Sequence, residues 1–168
     1  MGSTALSFVL DFEAKGVEAY LKLAAKTENR LGKKLFYSLA AEEIEHARKA
    51  DEFYGGISAK PGFKPVEAAP LESIIKGFFE KMEKTDMKKG GENVEGYELA
   101  MELERKGYAA YEKLLNDAKT DEEKKFFKWI LSEEKEHLSA ISNVYSYLTG
   151  TGDWLQEDES RVWNWMNL

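Results

Sequence analysis

The 168-residue chain has no cysteine, two histidines and three prolines, and each scarcity excludes something. Without cysteine there is no disulfide framework, no thiolate zinc site, no iron–sulfur cluster and no cysteine nucleophile. Histidine is the commonest metal ligand and acid–base group, so such chemistry must be sought at His46 or His137. The prolines, Pro61, Pro65 and Pro70, fall in one stretch, which leaves the rest of the chain free of the strongest helix breaker. No run approaches the ~18 consecutive apolar residues of a membrane span, so no membrane is expected as a partner. Basic residues number 24 against 31 acidic ones, a net charge of −7. An acidic chain without a basic stripe argues against nucleic acid as a partner. Met1-Gly2-Ser3-Thr4 lacks the basic region of a signal peptide, and the expected location is cytoplasmic.

What the chain does have is helical periodicity. Hydrophobic residues make up 43% of it, enough for a sizeable core. They recur at three- and four-residue spacing between loop marks at Gly55–Pro70, Gly90-Gly91 and Gly150–Gly152. Four long helices are predicted, over about 3–27, 29–53, 92–117 and 120–148. The first is capped by Ser3 or Thr4 and carries Leu6, Leu10, Val17, Tyr20 and Ala24 on one stripe. Leu35, Leu39, Glu43, His46 and Ala50 form the stripe of the second. Thr120 with Glu123 reads as a capping box. Short connections make each pair an antiparallel hairpin, about 3–53 and 92–148. The crossover, 54–91, holds a short helix at about 71–84 and is long enough to travel the length of a bundle. The expected class is therefore all-α: a four-helix bundle over 1–150 with one long crossover between the second and third helices, then a short aromatic segment at 151–168.

An internal repeat locates the histidines. Shifted by 91 residues, Phe12–His46 and Leu103–His137 are identical at 14 of 35 positions without a gap. The identities include Glu13/Glu104, Gly16/Gly107, Tyr20/Tyr111, Glu42/Glu133, Glu43/Glu134 and His46/His137. The two hairpins are copies of one unit, and repetition in register outranks any single motif.

Each histidine closes a Glu-x-x-His unit, Glu43 to His46 and Glu134 to His137. Residues three apart share a helix face, so each pair can bind one metal centre together. Each upstream helix adds a glutamate inside an apolar stripe, Glu13 or Glu104, with Tyr20 or Tyr111 two turns further along the same face. The tyrosines are either core aromatics or donors to these carboxylates. Glu42 and Glu133 either orient the imidazoles or lie exposed. Four carboxylates inside a bundle are prohibitively costly unpaired, whereas two divalent cations balance them. Oxygen-rich ligands with one imidazole per metal suit iron or manganese.

One Glu from each of two helices and a Glu-x-x-His from each of the other two is the constellation of ferritin-like di-iron and di-manganese carboxylate bundles. Over about Ser3–Leu148 the sequence resembles the rubrerythrin branch of that superfamily, through Glu-x6-Tyr on the first helix of each pair and Glu-x-x-His on the second. The resemblance implies a ferritin-like bundle with two iron ions, manganese being the other candidate. Glu13 and His46 would be terminal ligands of one metal, Glu104 and His137 of the other. Glu43 and Glu134 would bridge them, with Tyr20 and Tyr111 close by. It implies an oxidoreductase acting on hydrogen peroxide or O2. The alternatives are a ferroxidase or iron-homeostasis protein and a structural bundle with a vestigial site. Two departures matter. Full rubrerythrins relay electrons through a cysteine-ligated rubredoxin domain, so this cysteine-free chain implies an external electron donor. Some carry a further Glu three residues past the third-helix ligand, where Gly107 stands here.

Trp154, Trp163 and Trp165 crowd into the C-terminal segment. They are expected to fold back over the end of the bundle, the alternative being packing on a second subunit. A homodimer is expected, since bundles of this kind often associate.

Overall fold

The computed structural model describes residues 4–58, 60–64, 66–68, 71, 76–80 and 94–149. The expected N-cap Ser3, most of the expected helix at 71–84 and the whole of 151–168 lie outside them. Four long helices dominate: α1 (Ala5–Lys26), α2 (Arg30–Ser58), α3 (Val94–Asp117) and α4 (Asp121–Thr149).

Local chemistry fixes their ends. Thr4 caps α1 in a reciprocal box: its hydroxyl accepts from the Ser7 amide at 3.2 Å, and the Ser7 hydroxyl accepts from the Thr4 amide at 3.0 Å. Asn29 caps α2 by accepting from the amides of Leu31 and Gly32 at 2.9 and 3.1 Å. Thr120 caps α4 through the Glu123 amide at 3.1 Å, while the Glu123 carboxylate accepts from the Thr120 hydroxyl at 3.2 Å. Asp121, Glu122 and Glu123 also set negative charge against the positive end of the α4 dipole.

Helix α2 runs five residues past its expected end at Phe53. Gly55 and Gly56, read as loop marks, are helical. Each glycine costs up to about 1 kcal/mol in a helix, but Tyr54 and Ile57 on either side of the pair are buried, and their packing offsets that cost. The chain turns instead at Gly62, whose φ of +81° suits a residue without a Cβ. The α1 stripe is also displaced from the expected one. Phe8, Phe12, Gly16, Tyr20 and Leu23 are buried, whereas Leu6, Leu10 and Val17 lie partly buried at its edge. The reason is that α1 packs on both α2 and α3, so its buried arc is wider than one stripe and centred elsewhere.

Contacts define the topology. Helix α1 packs on α2 and α3, and α4 packs on α2 and α3. Phe8 and Phe12 near the start of α1 meet Tyr111 near the end of α3, so α1 and α3 are antiparallel. Phe53 near the end of α2 stacks on Phe126 near the start of α4 at 4.9 Å, so α2 and α4 are antiparallel. Tyr97 packs against Gly32, so α2 and α3 begin at the same end. The crossover therefore runs the length of the bundle, as expected. It passes the start of α1, where the Ala5 amide donates to the Val66 carbonyl at 2.7 Å, and then Phe79 packs edge-on against Phe12.

The core forms two aromatic clusters with a polar layer between them. Tyr20, Phe36 and Tyr97 pack toward one end, and Tyr54, Phe126 and Phe127 toward the other. The layer they enclose holds both histidines.

Candidate metal centre

The repeat places its charged residues in the middle of the bundle. Glu13 comes from α1, Glu43 and His46 from α2, Glu104 from α3, and Glu134 and His137 from α4. All six are at most 3% exposed. The two imidazoles lie almost parallel, with ring centres 5.1 Å apart, and both turn Nδ1 toward the carboxylates. His46 Nδ1 is 3.0 Å from Glu43 Oε2 and 3.6 Å from both Glu13 Oε2 and Glu134 Oε1. His137 Nδ1 is 3.5 Å from Glu43 Oε1 and 3.6 Å from Glu104 Oε1. Glu43 thus faces both imidazoles, one through each oxygen. Ligand atoms of Glu43, His46, Glu134 and His137 all lie within 4.8 Å of one another.

The polar contacts run between hairpins. The Tyr20 hydroxyl donates to Glu104, and the Tyr111 hydroxyl donates to Glu13. Each tyrosine therefore holds the glutamate of the other repeat rather than the one two turns away on its own helix. The outward nitrogens also meet the opposite repeat. His137 Nε2 bonds Glu42 Oε2 at 2.8 Å, while His46 Nε2 is 3.9 Å from Glu133 Oε2. Glu42, which sequence left between an orienting role and exposure, orients an imidazole; Glu133 stands at a looser distance.

Electrostatics show what the cluster lacks. Burial pushes the Glu13 carboxyl well above the usual range, and the charge of Glu43 adds to it. Burial also raises Glu134, reinforced by Glu104, Glu43 and Glu13. Glu43 resists ionisation through burial too, but its hydrogen bond with Glu13 and the positive charge of His137 prevail and hold it below the usual range. Burial disfavours both imidazolium ions, yet Glu13 and Glu43 raise His46 to about 9, and Glu104 and Glu43 raise His137. Protons here offset the mutual repulsion of the buried carboxylates. They do not satisfy the site: among the described residues, Glu13 Oε2, Glu104 Oε2, Glu134 Oε1 and His137 Nδ1 are buried without a hydrogen-bond partner. Each unpaired buried polar group costs about 1–3 kcal/mol. Glu43, His46, Glu134 and His137 converge on one volume, and Glu13 and Glu104 each stand 3.6 Å from an imidazole; together the four carboxylates and two imidazoles fit two divalent cations in charge and donor type.

Two features escaped the sequence reading. Gly16 and Gly107 make room for the acidic pair. A Cβ on Gly16 would lie 3.3 Å from Glu43 Cγ, and one on Gly107 would lie 2.8 Å from Glu134 Oε2. Their identity across the repeat was the available signal. Trp129 sets its ring edge-on to His46, with centres 5.5 Å apart. Its repeat counterpart is Ser38, so the repeat gave no sign of it.

Comparison with known proteins gives one result. The family model described as Rubrerythrin matches residues 5–145. Neither a curated protein nor a solved structure matches the chain. The matched span covers all six buried glutamates and histidines of the layer and both tyrosines, and with the bundle just described it shows that the chain belongs to the rubrerythrin family.

Proposed function

We propose that the protein is a dinuclear iron oxidoreductase that reduces hydrogen peroxide or O2, manganese being the alternative metal. The observation that carries this reading is the layer of six buried glutamates and histidines, two per Glu-x-x-His unit and one per tyrosine-held glutamate, with carboxylate oxygens left unpaired among the described residues. Glu13 and His46 would hold one ion and Glu104 and His137 the other, with Glu43 and Glu134 shared. Two ferrous ions supply the two electrons that convert hydrogen peroxide, with two protons, into two waters.

The chain's own residues set the conditions. The aromatic clusters at either end exclude bulk water, which strengthens every charge interaction inside. Tyr20 and Tyr111 fix Glu104 and Glu13 by donating to Oε1 of each; Glu13 then turns Oε2 toward His46, whereas Glu104 turns the same Oε1 toward His137. Glu42 fixes the tautomer of His137: accepting a hydrogen bond from Nε2–H leaves Nδ1 free as a ligand. Both histidines are committed to metal binding in this reading, so none remains as a separate general acid. Electrons to restore the ferrous state come from an external donor protein.

Metal-free protein should take up two ferrous ions per chain and then consume peroxide. Glu43→Ala and His137→Ala should lower both the stoichiometry and the consumption. Unchanged stoichiometry in both variants would reject the ligand assignment. Full stoichiometry without peroxide or O2 consumption would reject the oxidoreductase reading and leave a metal-binding bundle.

A further inference from the structure

Helix α2 carries a second feature, on the side facing away from the metal layer. Arg30, Leu31, Lys33, Lys34, Tyr37 and Ser38 line an open groove of about 730 Å³ at the N-terminal end of the helix. The side chains of Arg30, Lys33 and Lys34 have no carboxylate partner among the described residues. Between them Tyr37 is 52% exposed. Three cations with no carboxylate partner among the described residues, set around an exposed ring in a chain of net charge −7, form a surface suited to an acidic, aromatic peptide.

The chain contains such a peptide. Residues 150–168 hold Asp153, Glu157, Asp158 and Glu159 against a single basic residue, Arg161, and they hold Trp154, Trp163 and Trp165. The topology delivers them to the groove. Lys60 pairs with Glu122, Phe53 stacks on Phe126, and Glu42 bonds His137. The same antiparallel arrangement sets Thr149, the last residue of α4, at the end of the bundle where α2 begins at Arg30. The end of α4 also meets the start of α3, where Tyr145 donates to Glu98 at 3.3 Å. The segment thus follows α4 at the end of the bundle that carries the groove. Reach does not limit it: the groove spans about 12 Å of helix from Arg30 to Ser38, and 14 extended residues from Thr149 to Trp163 reach roughly 45 Å.

We propose that the C-terminal segment 150–168 docks in the α2 groove of its own chain, its acidic run against Arg30, Lys33 and Lys34 and a tryptophan against Tyr37. This sharpens the expected fold-back over the bundle's end into one surface, and it is independent of the metal chemistry. Exposed charge pairs are screened by salt, so the docked segment is held more weakly at high ionic strength.

The absence of native cysteine makes the test clean. In the full-length chain, Ser38→Cys with Gln156→Cys should form a cross-link within one chain under mild oxidation, read as monomer mass with both thiols lost. Lys33→Glu with Lys34→Glu should remove most of that cross-link, and adding Glu157→Lys with Glu159→Lys should restore it. Lys33, Lys34 and Ser38 are partly exposed on α2, and far-UV circular dichroism confirms that each variant keeps its helices. Acrylamide quenching of tryptophan emission, which needs no cysteine, should rise in the Lys33→Glu, Lys34→Glu variant and fall back in the charge-swapped one. A covalent dimer would overturn docking in cis and make a second copy the occupant. An equal cross-link between Gln156→Cys and Ala109→Cys, on the exposed face of α3, would show random contact and overturn the proposal. So would quenching indifferent to charge reversal.

Discussion

Gly16 and Gly107 occupy equivalent positions of the repeat, yet alanine at each should move stability in opposite directions. Both sit inside long helices, so each alanine gains about 0.5–1 kcal/mol of helix propensity. The surroundings differ. At position 16 the new methyl meets Glu43 Cγ at 3.3 Å, a crowding that a shift of a few tenths of an ångström relieves. At position 107 it meets Glu134 Oε2 and Phe12 Cε1, each at 2.8 Å, and Phe12 Cζ at 2.9 Å. Phe12 has little room to yield, being edge-on to Tyr111 at 5.7 Å and to Phe79 at 6.1 Å. Overpacking of that kind costs about 1–3 kcal/mol, so Gly107→Ala should lose about 1 kcal/mol net. Each kcal/mol is worth about 2–4 °C in a protein of this size.

Thermal unfolding of the metal-free protein, followed by circular dichroism, should therefore show Gly16→Ala unchanged or up by a degree or two and Gly107→Ala down by roughly 2–4 °C. Ferrous titration gives a second readout. Displacing Glu134 should weaken metal binding in Gly107→Ala more than in Gly16→Ala. Equal shifts of Tm in the two variants, in either direction, would refute the packing argument.

Three further outcomes follow from the same geometry. Glu42→Gln should weaken metal binding about 10–100-fold in a chelator competition, as loss of an imidazole's orienting partner usually does; Glu133→Gln should cost less, because its 3.9 Å approach to His46 is loose, and equal losses would contradict this. The metal-free protein should lose stability between pH 6.5 and 9, since His46, raised to about 9, binds its proton more tightly folded than unfolded and forfeits that contribution as pH rises through its folded value; Glu13 and Glu134, also raised, act in the same direction, and a Tm rising across this window would contradict the assignment. Gly32→Ala should destabilise by about 1–3 kcal/mol in urea unfolding, because its Cβ would overlap the buried Tyr97 hydroxyl; a neutral result would mean that the helix starts are packed differently.

What was legible in the sequence is what periodicity and repetition encode. Helix existence, the crossover and the grouping of Glu13, Glu43, His46, Glu104, Glu134 and His137 all follow from spacing along one chain. Helix ends proved harder to read where tertiary packing overrides local propensity. Gly55-Gly56 signals a break, yet Tyr54 and Ile57 bury against partners distant in sequence and carry α2 onward. Spacing also could not say which carboxylate each tyrosine would hold. Seven residues put Glu13 and Tyr20 on one face, but the hydroxyl of Tyr20 reaches Glu104. Trp129 beside His46 has no counterpart in the repeat, so only the folded chain reveals it.

That crossing of partners explains why the duplication matters. Exchange of the two hairpins maps Tyr20–Glu104 onto Tyr111–Glu13 and Glu42–His137 onto Glu133–His46. Every one of these contacts joins one repeat to the other, so a single hairpin lacks the tyrosine that holds its glutamate and the carboxylate that meets its outward imidazole nitrogen. Packing of the apolar faces and assembly of the polar layer are therefore one event: the contacts that close the bundle also aim the ligands. The exchange is imperfect where the surroundings differ. On one side Glu42 meets His137 at 2.8 Å; on the other, His46 lies against Trp129, and Glu133 stays 3.9 Å away. A duplicated sequence would by itself give two equivalent metal positions, and this difference makes them inequivalent. The position served by His137 has the more fixed imidazole and should fill first as ferrous ion is added.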